Sequence, residues 1–91
     1  MEKALWYLIT GTRGGENRAR IIRLLQQRPH NANQLAGKFD IGYNTVRHHL
    51  DMLEEHDVVE PGGNDYGELY FLTDQFEHHE DEFETIMEHL E

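Results

Sequence analysis

The sequence predicts a mainly α-helical domain that carries one small β-hairpin. Three observations lead there. Apolar residues recur at helical spacing over residues 16–28 and 43–56. Two β-prone runs, Val58–Val59–Glu60 and Glu68–Thr73, flank a stretch rich in Gly, Asn and Asp. The 91 residues fit one small domain, whose modest core a partner chain would help to bury.

The first segment, Glu2–Thr10, is apolar on all sides through Ala4, Leu5, Trp6, Tyr7, Leu8 and Ile9. Over so few residues periodicity leaves helix and strand open, and a short helix packing at a dimer interface is the expectation. Gly11–Gly15 breaks it. Glu16–Arg28 follows as a helix, with Ala19, Ile22 and Leu25 at helical spacing and Ile21 and Leu24 widening the stripe. Arg18, Arg20, Arg23 and Arg28 fill its other side, and Pro29 stops it. Asn31 is placed as an N-cap, with Gln34 three residues on completing a capping box for a short helix, Ala32–Phe39. That helix should bury Leu35, Ala36 and Phe39. Asp40–Ile41–Gly42 reads as a tight turn, with Gly42 supplying the backbone freedom. A longer helix, Tyr43 to about His56, has Val46, Leu50 and Leu53 as its core stripe. Pro61–Gly67 then forms the loop of a two-stranded hairpin. Thr73 caps a last helix whose Phe76, Phe83, Ile86, Met87 and Leu90 make one narrow seam among carboxylates. A narrow seam suits pairing with another helix.

Asn31–Leu53 is the informative stretch. A short capped helix, a turn and a second helix form a helix-turn-helix unit, in which the first helix braces the second. The second helix has the width to enter a DNA major groove about 12 Å across. With Val46, Leu50 and Leu53 turned inward, the start of this helix shows Tyr43, Asn44, Arg47 and His48, with Thr45 at the edge. Arg can bond guanine O6 and N7, Asn can bond adenine N6 and N7, and Tyr, Thr and His can hold phosphates or base edges. Gln34 joins this expected DNA-binding set, and Arg13 is placed to meet a phosphate beside the following helix N-terminus. His49, next to the core stripe, reads as a partly buried structural residue with a hydrogen bond.

The net charge of −10 opposes binding to phosphate until its distribution is considered. All eight Lys and Arg lie in residues 1–56, whereas residues 57–91 hold twelve carboxylates and no Lys or Arg. Residues 10–50 carry seven basic and two acidic side chains, a net of +5. A mildly basic head thus precedes a strongly acidic tail. Two lysines against eighteen carboxylates resemble the composition of proteins from cells with high internal salt, which is the expected origin, with an acidic dimerisation helix as the plainer alternative. The chain has no cysteine, so disulfides and thiolate metal sites are out. Its longest apolar run, Ala4–Ile9, is too short to span a bilayer, and no leader pattern is present. A soluble, cytoplasmic protein is the expectation.

The run Gln34–Leu35–Ala36, then Thr45–Val46–Arg47–His48–His49–Leu50–Asp51–Met52–Leu53, Val58–Val59 and Tyr70–Phe71–Leu72–Thr73 resembles the ArsR-type winged helix-turn-helix regulators, closest to their archaeal branch. The resemblance covers about residues 16–73. It implies a homodimer that binds an operator in double-stranded DNA, with the first and last helices at the dimer interface. Leu5, Trp6, Phe76, Phe83, Ile86, Met87 and Leu90 are the interface residues expected on that basis. Residues 1–91 then form a single winged domain: an N-terminal dimerisation segment and turn (1–15), a helical core (16–56) with the helix-turn-helix at 31–56, a wing (57–73) and a C-terminal dimerisation helix (74–91). Two departures stand out. Cysteine-based metal sensing, frequent in that family, is excluded here. The wing loop also offers Asp65 and Glu68 with no cation, leaving backbone amides and Asn64 for any contact with DNA.

Other readings carry less. Gly11–Gly15 lacks the GxxxxGK[ST] pattern of a phosphate loop. His78, His79 and His89 with Glu77, Glu80 and Glu88 raise a metal site, but residues 79 and 89 lie nearly three helical turns apart, so an exposed acidic face is expected and no metal. Trp6, Phe76 and Phe83 could line an effector pocket, although dimer core is the simpler role. No nucleophile stands beside a base at a recognisable spacing, so neither enzymatic activity nor a cofactor is expected. The rival to DNA binding is a winged-helix module that docks on transcription machinery through its acidic tail.

Overall fold

The computed structural model describes residues 1–64 and 67–90. Its elements run α1 (Glu2–Trp6), α2 (Gly15–Gln27), β1 (His30–Asn31), α3 (Ala32–Phe39), α4 (Tyr43–Glu55), β2 (Val59–Asn64), β3 (Gly67–Leu72), α5 (Asp74–His78) and α6 (Glu80–His89). The first segment is helical, as expected, and α1 runs on through a π-helical turn over Tyr7–Gly11. The chain then reverses at Gly14, which takes the left-handed conformation at φ 90°, and α2 starts at once. Gly15 sits so tightly on that turn that a Cβ there would lie 1.8 Å from the Ile9 carbonyl oxygen.

Helix α2 ends before Pro29, and α3 carries the capping box read from the sequence. The Asn31 side chain accepts from the Gln34 amide at 2.8 Å, and the Gln34 side chain accepts from the Asn31 amide at 2.8 Å. The turn between α3 and α4 departs from expectation. The left-handed residue is Asp40, at φ 53° and ψ 47°, and its amide bonds the Ala36 carbonyl. Gly42 is extended at φ −64° and serves as the N-cap of α4. Asp tolerates the left-handed region better than most side chains, so glycine is not required there.

The hairpin is part of a three-stranded antiparallel sheet in the order β1-β3-β2, in place of the two-stranded wing expected. Residues Pro61–Asn64 belong to strand β2 and not to a loop, pairing across to β3 with Pro61 opposite Tyr70. The third strand is His30–Asn31, which places His30 opposite the same Tyr70. Asp65 falls outside the described residues.

Leu5, Leu8 and Ile9 meet Ile21, Ile22 and Leu25 of α2, Val46, Leu50 and Leu53 of α4, and Phe76, Phe83 and Ile86 of the C-terminal helices in one buried cluster. Burying each large apolar side chain stabilises by about 1.5–3 kcal/mol relative to leaving it in water. This core corrects the expected dimer seam. Leu5, Phe76, Phe83 and Ile86 are each 0% exposed within the single chain, so no surface of theirs is left for a partner. The cause is a break at His79, where α5 ends and α6 begins. Seven residues of straight helix would separate Phe76 from Phe83 by about 10 Å along the axis. The break instead brings their rings to 5.6 Å, edge to face. Polar ties then fasten α6 to the body: Trp6 Nε1 donates to Glu82 at 2.7 Å, and Arg23 bridges Glu84 with bonds of 2.6 and 2.8 Å. Trp6 and Met87 remain half-buried, and Leu90 is exposed.

A second correction concerns α2. Arg18, placed by the sequence on the polar side, is fully buried. Its guanidinium donates to the carbonyls of Leu8 (2.7 Å) and Arg13 (3.0 Å), to His49 Nδ1 (3.1 Å) and to the Met52 sulfur (3.6 Å). No helix among the described residues is long and apolar enough to cross a membrane.

Candidate nucleic-acid interface

Helix α4 is positioned from below by its own core stripe. Val46, Leu50 and Leu53 are fully buried, which leaves the opposite face of the first two turns outward. Tyr43, Asn44, Thr45 and His48 are exposed there, and Tyr43 keeps 48% of its surface. No side chain caps the helix start, so the free amides of the first turn and the positive end of the helix dipole face the same way.

Arg47 lies at the inner edge of this face, half-buried. Its Nη1 donates to the hydroxyl of Tyr70, its guanidinium stands 5.7 Å from the centre of that ring, and its Nη2 reaches Asp51 at 3.3 Å. The Tyr70 bond holds the guanidinium pKa above its ordinary value, so the charge is permanent. Tyr70 is buried, and that burial pushes its own phenol up, keeping the hydroxyl neutral.

A cleft of about 280 Å³ opens between the starts of α3 and α4 and strand β3. Tyr43 and Arg47 line it with Asn31, Asn33, Glu68 and Tyr70. Asn33 and Tyr70 are additions that the sequence did not single out. Tyr70 stood in the Tyr70–Thr73 run as a family marker, and only the fold puts it against Arg47.

The remaining candidates sit apart. Gln34 is exposed near the start of α3, with its side-chain carbonyl committed to the cap. Arg13 is exposed on the turn before α2, next to Gly14, where a Cβ would lie 2.7 Å from His49 Cε1. It therefore adjoins the middle of α4 and not the cleft. His49 is 5% exposed and bonded to Arg18, the structural role expected of it. The outward surface is thus cationic and polar at the start of α4 and acidic at its end, where Asp51, Glu54 and Glu55 are exposed. Among the described residues no group of three His, Asp or Glu side chains is placed to hold a metal ion.

The family described as "Helix-turn-helix domain" matches residues 16–61, half of the chain, from the second residue of α2 through α3 and α4. The chain belongs to the helix-turn-helix domain family. No curated protein matches it. Solved structures do. The transcriptional repressor BigR from Xylella fastidiosa is 24% identical with a TM-score of 0.67, over 79% of this chain and 66% of that one. The homodimeric winged helix-turn-helix DNA-binding domain of Mb0332 from Mycobacterium bovis, a possible ArsR-family transcriptional regulator, is 16% identical with a TM-score of 0.73, over 94% of this chain and 75% of that one. Wild-type ZitR of Lactococcus lactis in complex with DNA is 20% identical with a TM-score of 0.63, over 87% of this chain and 62% of that one. At these identities the likeness shows the fold: this helix-turn-helix domain is winged. It spans slightly less than two thirds of the BigR chain.

Proposed function

We propose that this helix-turn-helix domain binds double-stranded DNA sequence-specifically as a cytoplasmic, homodimeric transcriptional regulator of the ArsR type. One observation carries the reading. Helix α4 buries one face completely and presents Tyr43, Asn44, Thr45 and His48 beside a permanently charged Arg47 at its unblocked N-terminus. Those groups suit base edges and phosphates, and the helix fits the major groove. The neighbours named above support it, one being a repressor, one a homodimer and one solved on DNA. Arg13 and Gln34 complete the proposed contact set. The partner surface is proposed at the end of α6 and beside α1, through Trp6, Met87 and Leu90. On a pseudo-palindromic site, two α4 helices would then lie one DNA turn or a multiple of it apart.

The test is fluorescence anisotropy on a pool of promoter duplexes over a range of potassium chloride, comparing wild type with Arg47→Ala. Saturable, selective binding that Arg47→Ala weakens by about 1–3 kcal/mol supports direct readout. Absence of binding at every salt concentration refutes it. The second reading, a protein-docking module, is favoured by the wing strands, which carry Glu60 and Glu68 and no Lys or Arg. It predicts partner capture unaffected by Arg47→Ala and no selective duplex.

A further inference from the structure

We infer that Tyr70, a strand residue outside the reading helix, is a positioning residue that sets the base choice of Arg47; the inference rests on the DNA-binding function proposed above. A free arginine sweeps a wide arc and contacts phosphates and bases indiscriminately. Arg47 is fixed at two points, Tyr70 and Asp51, which occupy two of its five N–H groups. Three remain, enough for the paired donors that recognise guanine O6 and N7.

The two anchors differ in kind. Asp51 is exposed and lies on α4 itself, so it moves with Arg47 and defines nothing beyond the helix. Tyr70 is 1% exposed and belongs to the central strand of the sheet, opposite His30 on one side and Pro61 on the other. Its hydroxyl is therefore a fixed point of the whole domain. The guanidinium is placed against the body of the protein and presented beside Tyr43 in the 280 Å³ cleft. Orientation set in advance favours the base whose acceptors lie along the remaining N–H directions over bases that a mobile guanidinium would also reach.

Tyr70→Phe isolates the effect, since it keeps the ring in the core and removes only the hydroxyl. Two measurements test the inference. The first needs no DNA: guanidinium NMR resonances of Arg47 should show slowed exchange and rotation in the wild type and fast averaging in Tyr70→Phe. Identical behaviour in both would overturn the tether whatever the protein binds. The second selects duplexes from a random pool and compares the best duplex with single-base changes and with an unrelated duplex. Tyr70→Phe should lose about tenfold of discrimination at one position per half-site while keeping its affinity for the unrelated duplex. Arg47→Lys, which keeps the charge and lacks the fork, should lose discrimination at the same position, and adding Tyr70→Phe to it should change nothing further. Unchanged selection by Tyr70→Phe, or equal losses on both duplexes with a lowered melting temperature, overturns the inference. A wild type that selects no duplex while its Arg47 resonances are slowed removes the DNA-binding reading, and the role in base choice with it, but leaves the tether standing.

Discussion

Arg18 donates to His49 across 3.1 Å in the interior, joining α2 to the middle of α4, and among the described residues no carboxylate is a partner of either. The bond defines the tautomer. Because the guanidinium can only donate, His49 Nδ1 must accept and the imidazole proton resides on Nε2. The buried cation is stabilised by carbonyl dipoles, a thioether and a neutral ring.

A pH dependence of stability follows. Burial pulls the His49 pKa below its ordinary value, with the Arg18 charge and His48 acting in the same direction. The unfolded chain therefore binds a proton that the native state refuses, beginning near the ordinary imidazole value of about 6.5. Stability should be level above that pH and fall as pH drops below it. His49→Asn, whose carbonyl can still accept from Arg18 and cannot titrate, should flatten the fall. Urea denaturation from pH 8 to pH 5 measures this, and an unchanged slope in His49→Asn would assign the effect to other histidines.

Two glycine substitutions should have opposite signs. At Gly15 a Cβ meets the Ile9 carbonyl at 1.8 Å, and the neighbour is backbone that must shift bodily. Gly15→Ala should cost roughly 2–4 kcal/mol. At Gly37, inside α3, a Cβ meets nothing within 4 Å, so Gly37→Ala should stabilise by about 0.5–1 kcal/mol. Chemical denaturation of both variants separates the two cases.

Self-association should respond to the exposed end of α6 and not to its buried seam. Leu90→Asp, at a side chain 51% exposed, should weaken the proposed dimer in sedimentation while changing the melting temperature little. Phe83→Ala should lower stability by about 3–5 kcal/mol through its own chain's core, at every protein concentration. If Leu90→Asp self-associates like the wild type, the partner surface lies elsewhere.

Salt should weaken DNA binding only gently. The proposed contact set holds two cations, Arg13 assigned to a phosphate and Arg47 to base edges, so log affinity against log salt should fall with a slope of only about −1 to −2 per protomer. A shallow dependence would support the high-salt origin expected from the composition. A slope several times steeper would mean that many more phosphates are contacted than these residues reach.

The elements whose residues depend on near neighbours were legible in the sequence. The Asn31–Gln34 box, the Thr73 cap on the Phe76 amide and the Val46–Leu50–Leu53 stripe need only a few consecutive positions, and the structure has all three. What was hidden depends on long-range partners. Arg18 resembles any helix-surface arginine until Leu8, Arg13 and His49 close around it from three other segments. The seam of α6 has the period of a partner-facing stripe, and nothing in that period reveals the break at His79 that folds it inward. Strand β1 has two residues, too few for any alternation, and exists because β3 supplies its partner. The exposed start of α4 was legible for the same local reasons, whereas the Tyr70 anchor of Arg47 was not.

Asn31 is both the last residue of a strand and the cap of the next helix, pairing with Leu69 while holding the amide of Gln34. Strand and helix therefore share a residue, with consequences for the order of assembly. During synthesis the helix-turn-helix is complete once residue 55 has emerged, but the strap behind its first helix waits for β3, some forty residues after His30. Closing so long a loop is slow compared with forming a helical turn. Until it closes, α3 and α4 pack on α2 without their backstop. The wing is thus the last part of the winged helix-turn-helix to set, and a chain stalled before residue 69 would carry the right helices on a hinge.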